Sequence, residues 1–248
     1  DIERIALAET KKWKPNADFL YPGWHYFTEA QTVSNYDKKI EVLFEANKLG
    51  KQPVKMKLFV PGDKNRDYTK VLAPPSTESV KVYSNKSTPT LVVRKKGEAW
   101  NNPFVVVYES FTGNKKEGQI TAVENILTDG KFKGVIVNST INGKAIKQVI
   151  IAQDSDNAMF EDKSLNIKFI GRYAVATLNE QQELKDLYIG SGTTFSYKNC
   201  SVSTVSGKPA SINLTMTNKS AIVTSTEKFN ISCSKGTSIK ETILTNNQ

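Results

Sequence analysis

The chain has 248 residues, a net charge of +9 at pH 7, a mean hydropathy of −0.41 and 38% hydrophobic residues. That composition excludes an unstructured polyelectrolyte and, with no apolar run of about 18 residues, a membrane-spanning helix. Two cysteines, one histidine and no CxxC spacing exclude the usual zinc site, so neither metal nor cofactor is expected.

In chain order, residues 2–12 read as a short helical turn stopped by Trp13-Lys14-Pro15. "YPGWHYF" (21–27) follows, with a Pro-Gly turn and the only histidine. Alternation after that turn puts Trp24 and Tyr26 on one face and His25 and Phe27 on the other. Trp24 and Tyr26 are expected to point inward, with His25 at the rim. "KIEVLFEA" (39–46) and "VKMKLFV" (54–60) alternate as half-buried strands do, the second setting Val54, Met56 and Leu58 against Lys55 and Lys57. "PGDKNRD" (61–67) is a charged turn and "VLAPPSTES" (71–79) a loop. "TLVVR" (90–94) and "FVVVYESF" (104–111) flank "KKGEAWNNP", which reads as a long hairpin loop.

The second half repeats the theme. In "KGVIVNSTINGKAIKQVIIAQD" (133–154) the pair Asn142-Gly143 separates two alternating runs, a strong hairpin signal. Separate strands are then read at "LNIKFIG", "YAVATL", "LKDLYIG", "TTFSYKN", "ASINLTMTN", "AIVTST" and "KFNISC". Short strands at intervals of about ten residues predict an all-β, antiparallel β-sandwich, as one large double-layer sheet or two stacked β modules. The polar break "FTGNKKEGQ" (111–119) suggests modules at 1–114 and 115–248, the second smaller, with a competing boundary near 155. Cys200 and Cys233 lie in strand-like text, either as a disulfide in an oxidising compartment or as two buried thiols. Asp1 in place of a starting Met reads as a fragment or processed product.

A basic chain favours anionic partners. Nucleic acid is not expected: no recognition helix is visible, and the lysines are scattered over the whole length. No GxSxG elbow or phosphate-cradling glycine motif occurs. What remains is a set of basic and aromatic residues on loops. "GDKNRDYTK" (62–70) carries Lys64, Arg66 and Tyr68, and "RKKGEAW" (94–100) carries Arg94, Lys95, Lys96 and Trp100. Aromatic faces stack on the apolar C–H faces of sugars, and Arg and Lys take sugar carboxylates or sulfates. These seven are the candidate ligand-binding residues for an acidic polysaccharide.

The stretch "TPTLVVRKKGEAWNNPFVVVYESF" (88–111) resembles the β-sandwich region of the heparinase II/III-like polysaccharide lyases. "FIGRYAVATL…LKDLYIGSGTTFSY" (169–197) resembles the small sheet at the end of such enzymes, and "PGWHYF" through "KLFVPG" the preceding strands. The resemblance implies a bacterial enzyme that cleaves acidic glycan by β-elimination, a Tyr or His abstracting the proton next to the uronate carboxylate. The α/α toroid that precedes the sandwich in that family has no counterpart in this sequence. The leading expectation is therefore a non-catalytic β-sandwich region, secreted or periplasmic, working with an upstream helical catalytic domain. A complete all-β lyase using His25 or Tyr26, or a purely structural brace for a catalytic domain, are the alternatives.

Overall fold

A computed structural model describes residues 6–7, 14–15, 26–75, 81, 84–97, 103–113, 118–217, 220–233 and 238–243. Every regular element among them is a β-strand, so the all-β expectation holds. The strands belong to two compact units, 1–119 and 120–248.

Unit 1 contains β1 (Ala6–Leu7), β2 (Lys14–Pro15), β3 (Thr28–Val33), β4 (Ile40–Ala46), β5 (Val54–Val60), β6 (Arg66–Ala73), β7 (Thr88–Lys95) and β8 (Val107–Thr112). They form two four-stranded antiparallel sheets, ordered β1-β4-β5-β8 and β2-β3-β6-β7. Ile40, Val42, Leu58 and Val60 of the first sheet pack against Val33 and Tyr68 of the second, giving a sandwich core. Within 2–12 the described pair Ala6–Leu7 is not a helical turn. It adds to the edge of β4 opposite Leu43 and Val42, where the sheet supplies hydrogen bonds that an isolated turn lacks.

Two expectations for this unit are corrected. The runs at 90–94 and 104–111 are not two arms of one hairpin. β7 pairs with β6 in one sheet and β8 with β5 in the other. A polar, Gly-containing loop suits either connection, and pairing preference decides. The aromatic turn is also reversed. Tyr26 is 68% exposed, whereas Phe27 packs with Ala30 against buried Val71 and Val92. Trp24 and His25 lie outside the described residues.

β5 shows how far alternation carries. Leu58 is buried as expected, but Val54 and Met56 on the same face are 37% and 38% exposed. Lys55, on the supposedly wet face, is 6% exposed with Glu45 3.8 Å away. Lys57 lies 2.9 Å from Glu41 and 4.8 Å from the centre of the Phe59 ring. Burial alone would raise the Glu41 carboxyl, but the hydrogen bond and charge of Lys57, with Lys39 beyond, hold it below its ordinary value.

Unit 2 contains β9 (Ile120–Thr128), β10 (Lys131–Ile141), β11 (Lys144–Ala152), β12 (Met159–Asp162), β13 (Ile167–Leu178), β14 (Leu184–Tyr197), β15 (Cys200–Thr204), β16 (Ala210–Met216), β17 (Ser220–Ser225), β18 (Phe229–Ser232) and β19 (Ser238–Ile243). All eleven belong to one sheet, antiparallel except for the parallel pair β17–β19. Asn142 and Gly143 sit at φ 51° and 77°, as the expected hairpin requires, and Asp129-Gly130 makes the same kind of turn one hairpin earlier.

The four runs read separately between 165 and 199 are two long strands, β13 and β14. Both change partners midway. The C-terminal half of β13 and the N-terminal half of β14 lie between β11 and β16, while their other halves carry β12 and β15. The change falls where Gly171 faces Gly192 across a register shift. A bulge at that point bends the sheet, which closes over a core of its own. Phe160, Phe169, Phe195, Val202 and Phe229 come from one end, and Val149, Ile151, Ala174, Ala176, Leu187, Ile189, Ile212, Leu214 and Val223 from the other. Gln153 pins the bend, its Nε2 donating to the carbonyls of Ala158 (3.0 Å) and Gly171 (2.9 Å).

Of the two cysteine states the sequence left open, the structure has the disulfide. Cys200 and Cys233 are joined just beyond the Ser201–Ser232 pair of β15 and β18. The bridge closes a 33-residue separation. Replacing both cysteines by serine is expected to lower stability by about 3 kcal/mol, measured by urea unfolding of the full chain. A loss under about 0.5 kcal/mol would show that the bridge barely restrains the unfolded chain.

Candidate functional site

The two basic loops singled out in the sequence meet at one end of β6 and β7. Arg66 pairs with Lys95 and Asp67 with Arg94, and the Lys96 amide donates to the Asn65 carbonyl at 3.3 Å. Opposed residues of an antiparallel pair share a face, so the register sorts the candidates into two groups.

The inward group is structural. Arg66 and Tyr68 are fully buried, and the Lys95 side chain is 8% exposed. The Asp63 carboxylate accepts from Arg66 Nη2 at 3.1 Å and also from Lys95 Nζ. Arg66 further donates to the carbonyls of Pro61 (3.2 Å) and Pro103 (3.5 Å), and its guanidinium lies 5.7 Å from the centre of the Phe104 ring. It therefore ties the turn after β5 to the stretch before β8. Tyr68 stands edge-on to Tyr36 at 6.2 Å. Burial raises the Tyr68 phenol above its ordinary value, and the nearby Arg66 charge offsets part of that. Among the described residues, neither Tyr68 Oη nor Arg66 Nε has a hydrogen-bond partner. Arg66, Tyr68 and Lys95 were expected to contact ligand; their burial makes them the footing of the loops.

The outward group is Lys64, Arg94 and Lys96, all exposed. Asp63 also accepts the Lys64 amide at 2.7 Å, so the carboxylate that neutralises the buried cations shapes the turn presenting Lys64. Trp100 lies outside the described residues, as does His25. Of the two catalytic candidates only Tyr26 is described, on the exposed approach to β3. Among the described residues no group of three or more His, Cys, Asp or Glu is placed to hold a metal.

A second surface was not singled out in the sequence. On the solvent side of unit 2, Tyr173 of β13 and Tyr188 of β14 are 38% and 46% exposed. Their rings meet edge to face at 6.2 Å. Asn213 lies across from Tyr188, and Thr215 Oγ1 donates to Asp186 at 2.9 Å two pairs further along. The available signal was the position of both tyrosines opposite buried alanine and leucine in the alternation, which puts them on the wet face.

The architecture is that of an all-β sandwich chain with paired basic loops and an aromatic-bearing sheet face. Residues 120–215 match the family described as the endo-acting ulvan lyase C-terminal domain. An endo-acting ulvan lyase from Formosa agariphila is 37% identical over 178 residues, covering 72% of this chain and 21% of that relative. The chain thus spans about a fifth of the length of the curated relative it matches. Unit 2 begins only at 120, so 178 aligned residues reach into unit 1 as well. No solved structure matches the chain. These findings support a polysaccharide lyase C-terminal region, the coarser form of the family expectation. The resembling stretch at 169–197 falls inside the matched segment, and that at 88–111 precedes it.

Proposed function

We propose that this chain is a non-catalytic β-sandwich region of a polysaccharide lyase that holds an acidic polysaccharide for a catalytic domain elsewhere in the protein. The observation that carries this reading is the convergence of Lys64, Arg94 and Lys96 on one end of the β6–β7 pair, held there by buried salt bridges. The ligand class follows from the relative's activity on ulvan, which is sulfated and acidic. Uronate carboxylates and sulfates are the groups that exposed Lys and Arg take from water. The same reading includes a division into two modules, kinship to the heparinase II/III-like lyases at the level of the β region, and an upstream helical partner. A secreted or periplasmic bacterial location accords with the disulfide.

Affinity electrophoresis of the full chain in gels containing ulvan tests the proposal. The triple substitution Lys64→Ala, Arg94→Ala, Lys96→Ala is expected to weaken retention about tenfold at 0.1 M salt, and to flatten its dependence on salt. Equal retention in a neutral glucan gel would sink the charge-based reading. Release of unsaturated uronate absorbance by this chain alone would favour a complete lyase using Tyr26 or His25 instead.

A further inference from the structure

We infer that the exposed face of unit 2 around Tyr173 and Tyr188 is a second glycan site, which stacks an anionic sugar chain on its tyrosines. Three observations place it. Two large aromatic rings, 38% and 46% exposed, stand side by side on the solvent face. Gly190 lies between them: a Cβ there would come within 3.2 Å of the Tyr173 ring and 3.5 Å of the Tyr188 ring. Its missing side chain leaves the backbone bare beside both rings. The third observation is the polar surround. Asn213 is exposed beside Tyr188, with amide donors and an acceptor suited to sugar hydroxyls. Arg172, next to Tyr173 in the chain, has a side chain 57% exposed and a long, 3.4 Å contact to Asp156, which also accepts from Ser191 Oγ at 2.6 Å. So loose a surface bridge is easily exchanged for a sulfate or carboxylate.

Aromatic faces among amides and a guanidinium fit a sugar better than a protein partner, whose docking face would be expected to carry an apolar centre. All the named residues fall within the segment matched to the ulvan lyase C-terminal domain. The class of ligand rests on the function proposed above; the location does not, because these residues lie in a different unit from the basic loops. The two sites differ in physics. Charge contacts are screened at 1 M salt, where the Debye length is about 3 Å, and stacking is not.

The test is titration of the full chain with ulvan at 0.1 M and 1 M NaCl, with thermal unfolding as the control for folding. Unsubstituted protein is expected to keep measurable affinity at 1 M. Tyr173→Ala and Tyr188→Ala should each weaken it about five- to tenfold at both salt concentrations. The double Phe variant should stay within about twofold, since the ring rather than the hydroxyl stacks. Gly190→Leu should weaken binding as much as a tyrosine loss, because its side chain crowds both rings and covers the backbone beside them. The triple Lys/Arg variant of unit 1 should matter at 0.1 M and little at 1 M. If the Ala variants bind like the parent, or Phe is as damaging as Ala, the platform is refuted while the basic-loop reading stands. If only the tyrosine variants lose affinity, the basic-loop reading fails and the platform stands. No binding of ulvan at either salt concentration overturns both.

Discussion

Gly171→Ala is expected to destabilise unit 2 by about 2 to 6 kcal/mol, a large part of the total stability of a domain. Two costs combine. Gly171 has φ of 156°, a backbone conformation that L side chains rarely adopt. Its added Cβ would also meet Phe169 Cζ at 2.4 Å, Gly192 Cα at 2.5 Å and the Ser191 carbonyl oxygen at 2.5 Å. Two of those three atoms are backbone of the paired strand, so rotation of a side chain cannot relieve the clash. Gly192→Ala should follow the same direction less severely, because its φ lies outside that region and its closest backbone neighbour, the Ile170 carbonyl oxygen, is at 2.9 Å. Urea unfolding of both variants in the full chain measures the effect. A loss below about 1 kcal/mol for Gly171→Ala would mean that the sheet does not bend through this pair of glycines.

Asp63→Ala is expected to cost about 3 to 5 kcal/mol, because it leaves a fully buried guanidinium and a nearly buried ammonium without their shared counter-ion. A surface ion pair would cost under about 1 kcal/mol, so the magnitude itself tests the burial of Arg66. Combining Asp63→Ala with Arg66→Met should restore part of the loss, since the second change removes the stranded charge at similar volume. Unchanged stability in the single variant, or no recovery in the double, would remove the footing role assigned to this cluster. Loss of polysaccharide retention should accompany Asp63→Ala, because the same carboxylate holds the Lys64 turn.

What could be read in advance followed from local chemistry. Alternation at 39–46 and 54–60 located β4 and β5, and Asn142-Gly143 located a turn whose φ values only such residues adopt readily. Period-two text states which residues share a face but not which face is covered, nor how far along the strand. That is why Val54 and Met56 emerge exposed, and why Arg66 and Tyr68, charged and aromatic in a turn-like stretch, turn out to be buried. Glycine was the other source of error. Gly171 and Gly190 close two of the runs read as separate short strands, whereas the glycines at 171, 190 and 192 allow long strands to bend without stopping. The candidate site was legible as two basic loops, but their meeting depended on the β6–β7 register. The tyrosine pair was invisible because Tyr173 and Tyr188, fifteen positions apart, become neighbours only through strand pairing.

The doubling back of β13 and β14 has a kinetic corollary. In a sandwich of two independent layers, each can assemble from its own hairpins and dock afterwards. Here the two longest strands are common property of both halves of the core, so neither half can be completed while the other is still loose. Closure also gathers residues distant along the chain, Phe160 and Phe229 among them, into one core. Unit 2 is thus expected to fold more slowly than its many hairpins alone would suggest, a refolding rate being the measure.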